Sequence, residues 1–121
     1  MRYVAFFLFT HYHTHVCMQQ VSQCVNLSES HLCHLFRREV GVSPHKFLNG
    51  VRLQHAAELL ATTFLSVKEV MARVGFNDPS HFVREFGKKF GESPRAYRSR
   101  RQRIADFANA GPLTSPLDSM E

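Results

Sequence analysis

Residues 30–47 read SHLCHLFRREVGVSPHKF, and residues 80–97 read SHFVREFGKKFGESPRAY. Overlaid at an offset of 50, they share Ser30/Ser80, His31/His81, Phe36/Phe86, Gly41/Gly91, Ser43/Ser93 and Pro44/Pro94. Leu32/Phe82, Val40/Phe90 and Phe47/Tyr97 keep their apolar character. An apolar frame and a Gly-x-Ser-Pro corner preserved together mark a duplicated unit. Leu32, Phe36 and Val40 recur every four residues, as do Phe82, Phe86 and Phe90, which predicts two amphipathic helices. Gly41 and Gly91 fall where a left-handed residue ends a helix. Ser43-Pro44 and Ser93-Pro94 start the next one, with Ser as N-cap and Pro at the first helical position.

A shorter helix is predicted upstream of each repeated one. Met18 to Cys24 precedes the corner Val25-Asn26-Leu27-Ser28, and Ser66 to Arg73 precedes Val74-Gly75-Phe76-Asn77. Ser66-Val67-Lys68-Glu69 has the form of a capping box. Asn26 and Gly75 tolerate positive φ at the tight corner, and Ser28 and Asn77 are the expected caps of the following helices. A short helix, a tight turn and a longer second helix make a helix-turn-helix, and the chain holds two. The expected fold is all-α: helix-turn-helix units at about 17–40 and 66–90, a linking helix at about 44–61 and a last helix at about 94–103.

The outward face of each second helix follows from the 100° period. Opposite Leu32, Phe36 and Val40 lie Ser30, His31, His34 and the Arg37-Arg38 edge, with Cys33 on the flank. Opposite Phe82, Phe86 and Phe90 lie Ser80, His81, Arg84 and Lys88, with Val83 on the flank. Polar side chains of moderate length near a helix N-terminus suit base edges in a DNA major groove. Arg84 is the strongest candidate for a guanine contact, since its fork matches O6 and N7 together.

Charge agrees with that reading. The 121 residues carry a net charge of +5, but it is unevenly spread. Residues 1–83 are nearly balanced at +2, residues 84–103 carry +6, and residues 104–121 carry −3. A compact positive segment attracts polyanions. Length and a 44% hydrophobic share fit one globular domain, and three cysteines are too few for a disulfide scaffold. The apolar run Val4 to Phe9 is far below the roughly 20 residues of a bilayer span and lacks a signal-cleavage site. It predicts the buried side of a first helix, or its remnant, within residues 1–15.

His11, His13, His15 and Cys17 stand at two-residue intervals. They would share a face only on a strand, and zinc ligands more often come as pairs one helical turn or tight loop apart. A polar helix end is the better reading, with no metal or cofactor implied. Cys24 is expected near the core, and Cys33 on the flank of the reading face could respond to oxidation. No nucleophile–base arrangement or phosphate-cradling Gly-rich loop stands out, so an enzyme is not expected. The alternative to DNA binding is a helical protein-interaction or metal- or redox-responsive module.

From about Val16 to Arg101 the chain resembles the DNA-binding domain of the AraC/XylS family of bacterial transcription regulators. SVKEVMARVGFNDPSHFVREFGKKFGESPRAYR (residues 66–98) is similar to the family signature along its length, and LSESHLCHLFRREVGVSPHKFLNGVRLQHAAELL (residues 27–60) to the other motif and linking helix. The resemblance implies about seven helices, cytoplasmic and nucleoid localisation, and monomeric binding to two successive major-groove segments of double-stranded DNA, with RNA polymerase as a further partner. It carries base reading to Ser30, Cys33, His34, Pro79, Ser80, His81, Val83 and Arg84. Arg37, Lys88, Lys89, Arg95 and Arg98 are the expected phosphate contacts. Met71 stands where the family has a small residue, so overpacking of about 1–3 kcal/mol is expected there. The first helix reads as shortened. Beside the resemblance, the expected readings are a small stand-alone regulator, an isolated domain or the remnant of a longer gene. The tail 104–121, acidic and rich in Gly, Pro and Ser, is expected to be disordered.

Overall fold

A computed structural model describes residues 1–102, and every regular element among them is helical. The helices are α1 (Arg2–Thr10), α2 (Met18–Cys24), α3 (Glu29–Val40), α4 (Pro44–Thr62), α5 (Val67–Val74) and α6 (Pro79–Phe90). A seventh, α7, covers 94–102 as far as the description extends. The expected disorder of the tail lies outside these residues. None of the described helices is long and apolar enough to cross a membrane.

The local signals act as expected. Ser28, Ser43 and Ser66 accept hydrogen bonds from the amides of His31, Lys46 and Glu69. In the reciprocal half of the capping box, the Ser66 amide donates to the Glu69 carboxylate at 2.8 Å. That bond holds the Glu69 carboxyl below the usual glutamate range. Gly41 and Gly91 take φ of 103° and 79° and close α3 and α6. Asn26 turns the first corner at φ 57° and Gly75 the second at φ 98°.

One expected cap is displaced. Asp78, not Asn77, caps α6, accepting from the Ser80 and His81 amides. The reason is an extra residue. The corner bond from the Leu27 amide to the Ser22 carbonyl recurs as Phe76 to Met71, at an offset of 49, whereas α3 and α6 begin 50 apart. The second unit thus has one more residue between corner and helix, and the cap moves with the helix.

Two apolar cores form. The first gathers Val4 and Leu8 of α1, Met18 and Val21 of α2, Leu32 and Phe36 of α3, and Leu48 of α4. The second gathers Leu53, Ala56, Ala57 and Leu60 of α4 with Val70, Met71 and Val74 of α5, Phe76, Phe82 and Phe86, and Tyr97 of α7. Burying a Leu or Phe side chain fully contributes about 1.5–3 kcal/mol, so each unit rests on a handful of such residues. The third member of each periodic row lies at the rim. Both sit on the last turn: Val40 is 37% exposed, and Phe90 is half-buried, packed against Phe86 and Tyr97 at the edge of the second core.

Met71 is buried in the second core. Its outer edge meets a groove of about 660 Å³ that Ser66, Val67, Pro79, Phe82 and Arg95 also line. The larger side chain is taken up at that wall while α5 and α6 stay in contact. Cys24, expected near the core, is exposed. It ends α2, one turn past the buried Val21 and beyond the last buried residue, Ser22.

Gly50 lies within α4, and a Cβ built there meets no atom within 4 Å. Helix propensity then acts without a steric penalty. Gly50→Ala is expected to stabilise the fold by about 0.5–1 kcal/mol, read as a higher midpoint in chemical denaturation.

Candidate nucleic-acid interface

The two second helices present their N-terminal halves to solvent because their opposite faces are consumed by the cores. On α3, Ser30 and His34 are exposed and Cys33 is half-buried, while Leu32 and Phe36 point inward. On α6, Pro79, Ser80, Val83 and Arg84 are exposed and His81 is half-buried, with Phe82 and Phe86 inside. All eight residues singled out from the sequence therefore occupy the outer or flanking surface of these two helices.

The two helix starts are built differently. Asp78 receives the Ser80 amide at 3.0 Å and the His81 amide at 3.4 Å, and the His81 ring packs edge-on against Phe76 at 5.6 Å. His81 is thus held by packing as well as by its backbone. On α3 the Ser28 hydroxyl receives one amide, that of His31, and the His31 side chain is exposed. The α6 surface is the more preorganised of the two.

The basic residues divide by what they touch. Arg37, Arg84 and Arg95 are exposed and make no ion pair among the described residues. Lys88 pairs with Glu85 at 3.6 Å on the surface, and Lys89 lies over the Phe90 ring at 5.8 Å. An exposed pair of this kind is worth about 0–1 kcal/mol and is readily exchanged for another anion. Arg100 is bound to Glu92, which holds that carboxyl below its usual range and pushes the guanidinium up. One charge of the basic segment is thereby offset.

Arg98, expected from the sequence as a phosphate contact, turns two of its donors to the backbone. Its guanidinium is half-buried and donates to the Leu60 carbonyl at 3.1 Å and the Thr63 carbonyl at 3.3 Å. These carbonyls lie at the end of α4, where the last turn leaves acceptors without helical partners. Arg98 closes that end and ties α7 to it.

Arg52 does the same one unit earlier, and the sequence reading gave it no role. From the middle of α4 its Nε donates to the Tyr12 carbonyl at 2.7 Å and an Nη to the Thr14 carbonyl at 2.9 Å, in the loop that follows α1. Burial lowers its pKa, a desolvation that the two carbonyls offset. A charge interrupting the apolar run of Val51, Leu53 and Ala56 was the one available signal.

The histidine-rich segment does not gather. His11 stacks on Phe7, Tyr12 stacks on His55 of α4, and His13 and His15 are exposed. No grouping of three metal-ligating side chains occurs among the described residues.

A family model described as a helix-turn-helix domain matches residues 21–100. The lactose operon transcription activator of Staphylococcus xylosus is 36% identical over 92 residues, covering 76% of this chain and 33% of that protein. The chain spans about a quarter to a third of the length of this and similar curated relatives. A crystal structure of a probable AraC family transcriptional regulator from Rhodopseudomonas palustris superposes with a TM-score of 0.77 at 28% identity, covering 83% of this chain and 94% of that one. The DNA-binding domain of AdpA, solved in complex with a target DNA, superposes with a TM-score of 0.79 at 28% identity, covering 85% and 93%.

The two roles assigned to basic residues differ in what their loss should do. Arg98→Ala strands two carbonyls at the end of α4 and is expected to cost about 1–3 kcal/mol of stability. Arg95→Ala, which removes an exposed side chain, should leave the unfolding midpoint unchanged within about 0.5 kcal/mol.

Proposed function

The chain belongs to the AraC/XylS family of bacterial DNA-binding transcription regulators, and from that membership we propose how it reads DNA. α3 and α6 enter two successive major-groove segments on one face of a duplex, one helical turn or about 34 Å apart. The observation that carries this reading is the exposure of two equivalent helix N-termini, both mounted on α4. The DNA-bound relative of the same fold supports it. Two reading helices in one chain make a monomer sufficient for two contacts.

Ser30, Cys33 and His34 meet base edges from α3, and Pro79, Ser80, His81, Val83 and Arg84 from α6. The α6 segment discriminates more strongly, because Arg84 offers a bidentate fork for guanine and His81 is held in place. Val83 and Pro79 supply apolar contact suited to a thymine methyl group. Arg37, Lys88, Lys89 and Arg95 grip phosphates, which fixes register without reading sequence. The helix starts at Ser43 and Ser93, where the Lys46 and Ala96 amides are already taken by the serine hydroxyls, can direct their remaining first-turn amides to phosphate. Regulation of transcription from such a complex takes place in the cytoplasm and brings RNA polymerase in as a second partner.

The test is selection of bound duplexes from a random pool, which should return two clusters of specified bases about 10 base pairs apart. Affinity for the selected duplex should fall by about 10³-fold or more between about 50 and 200 mM salt if six phosphates are contacted. Arg84→Ala should cost about 1–3 kcal/mol and relax preference at one position, whereas Lys89→Ala should weaken all sequences alike. Retention of no duplex, or a flat salt response, would favour a protein-interaction module instead.

A further inference from the structure

Both cores meet around the loop between α1 and α2. Tyr12 packs against the first core and against the second, and its ring lies parallel to His55 of α4 with centroids 4.0 Å apart. Arg52 binds the carbonyls of Tyr12 and Thr14 from the same helix. The corner of the second helix-turn-helix closes on this point. A Cβ added to Gly75 would stand 2.9 Å from Arg52 Nε and 2.9 Å from the Tyr12 carbonyl oxygen. Three segments far apart in sequence thus converge: the loop of the first unit, the shared helix, and the corner that aims α6.

We infer that Arg52 is the positioning residue that fixes the two reading helices relative to each other, and that the spacing of the DNA sites the chain accepts depends on it. The inference rests on the two-helix reading above. α4 sets the separation of the two units, while the apolar contacts of each core, being non-directional, leave some freedom to pivot. Arg52 removes that freedom for the first unit by binding the loop at two carbonyls. Gly75, having no side chain, lets the second unit's corner seat directly on the guanidinium and the carbonyl. Two reading modules held rigidly gain affinity only when the sites match their separation.

Arg52→Met keeps the length of the stem and removes both donors. The expected result in the full chain is a near-unchanged helical signal with altered DNA behaviour. For the parent, inserting one base pair between the two halves of the selected duplex should lower affinity by about tenfold or more, since one helix loses register. For Arg52→Met the same insertion should cost less than about threefold, because a loosely joined pair adapts. Single-base substitutions under Arg84 should remain as damaging as in the parent, a retention that general destabilisation would not produce.

A measurement without DNA separates this proposal from the reading it rests on. Spin labels at Ser30→Cys and Ser80→Cys, with Cys17, Cys24 and Cys33 replaced by serine, should give one narrow distance distribution in the parent and a broad one in Arg52→Met. Arg52→Lys, which keeps the charge but has no fork to span both carbonyls, should broaden it as well, and decides the matter if Arg52→Met does not fold. A distribution as narrow as the parent's in a folded variant overturns the proposal. Failure of the parent to retain any duplex would sink the DNA reading while leaving the distance result to judge the clamp.

Discussion

α4 is the one element that both halves of the molecule cannot do without. Over its nineteen residues it contributes Leu48 to the first core and Leu53, Ala56, Ala57 and Leu60 to the second. Neither unit buries enough apolar surface without it, since each otherwise consists of short helices of seven to twelve residues. Isolated helices of that length are marginal in water, so packing against α4 is what stabilises them. Because the helix is rigid, sharing it also sets where the two exposed helix faces stand.

Around that constraint the polar chemistry is divided between structure and surface. Arg52 and Arg98 look alike to the exposed Arg84 and Arg95 in composition, yet each spends its guanidinium on two backbone carbonyls. Each of the two lies on the helix that follows one helix-turn-helix and binds the chain at or just beyond the end of the helix that precedes it. The parallel escapes a residue-by-residue repeat. Arg52 stands nine residues after its N-cap Ser43, and Arg98 five after Ser93, one helical turn earlier. The same function is met from a different turn.

Much of the site was legible because short-range signals control it. The four-residue apolar row fixes which faces of α3 and α6 are buried, and the outward residues follow by geometry. Ser, Gly and Pro at helix ends act over three or four residues and need no tertiary information. Asp78 was missed because the offset of 50 between the helices conceals a corner repeated at 49. Cys24 defeats a local reading because a small apolar-like residue at a helix end carries no signal of its own. Its exposure depends on where α2 stops relative to the buried Ser22.

The sequence by itself determined the helices, their caps other than Asp78, the duplication and the faces of α3 and α6 turned to solvent, since each depends on residues within a turn or two of one another. Only the tertiary structure decided how the two units are joined. Tyr12, Arg52 and Gly75 are separated by 40 and 23 positions and share no periodicity, so their meeting is a product of packing around α4. It also decided which arginines remain available to an anion. That choice depends on whether a carbonyl happens to lie within reach, a fact about distance in space that no local pattern records.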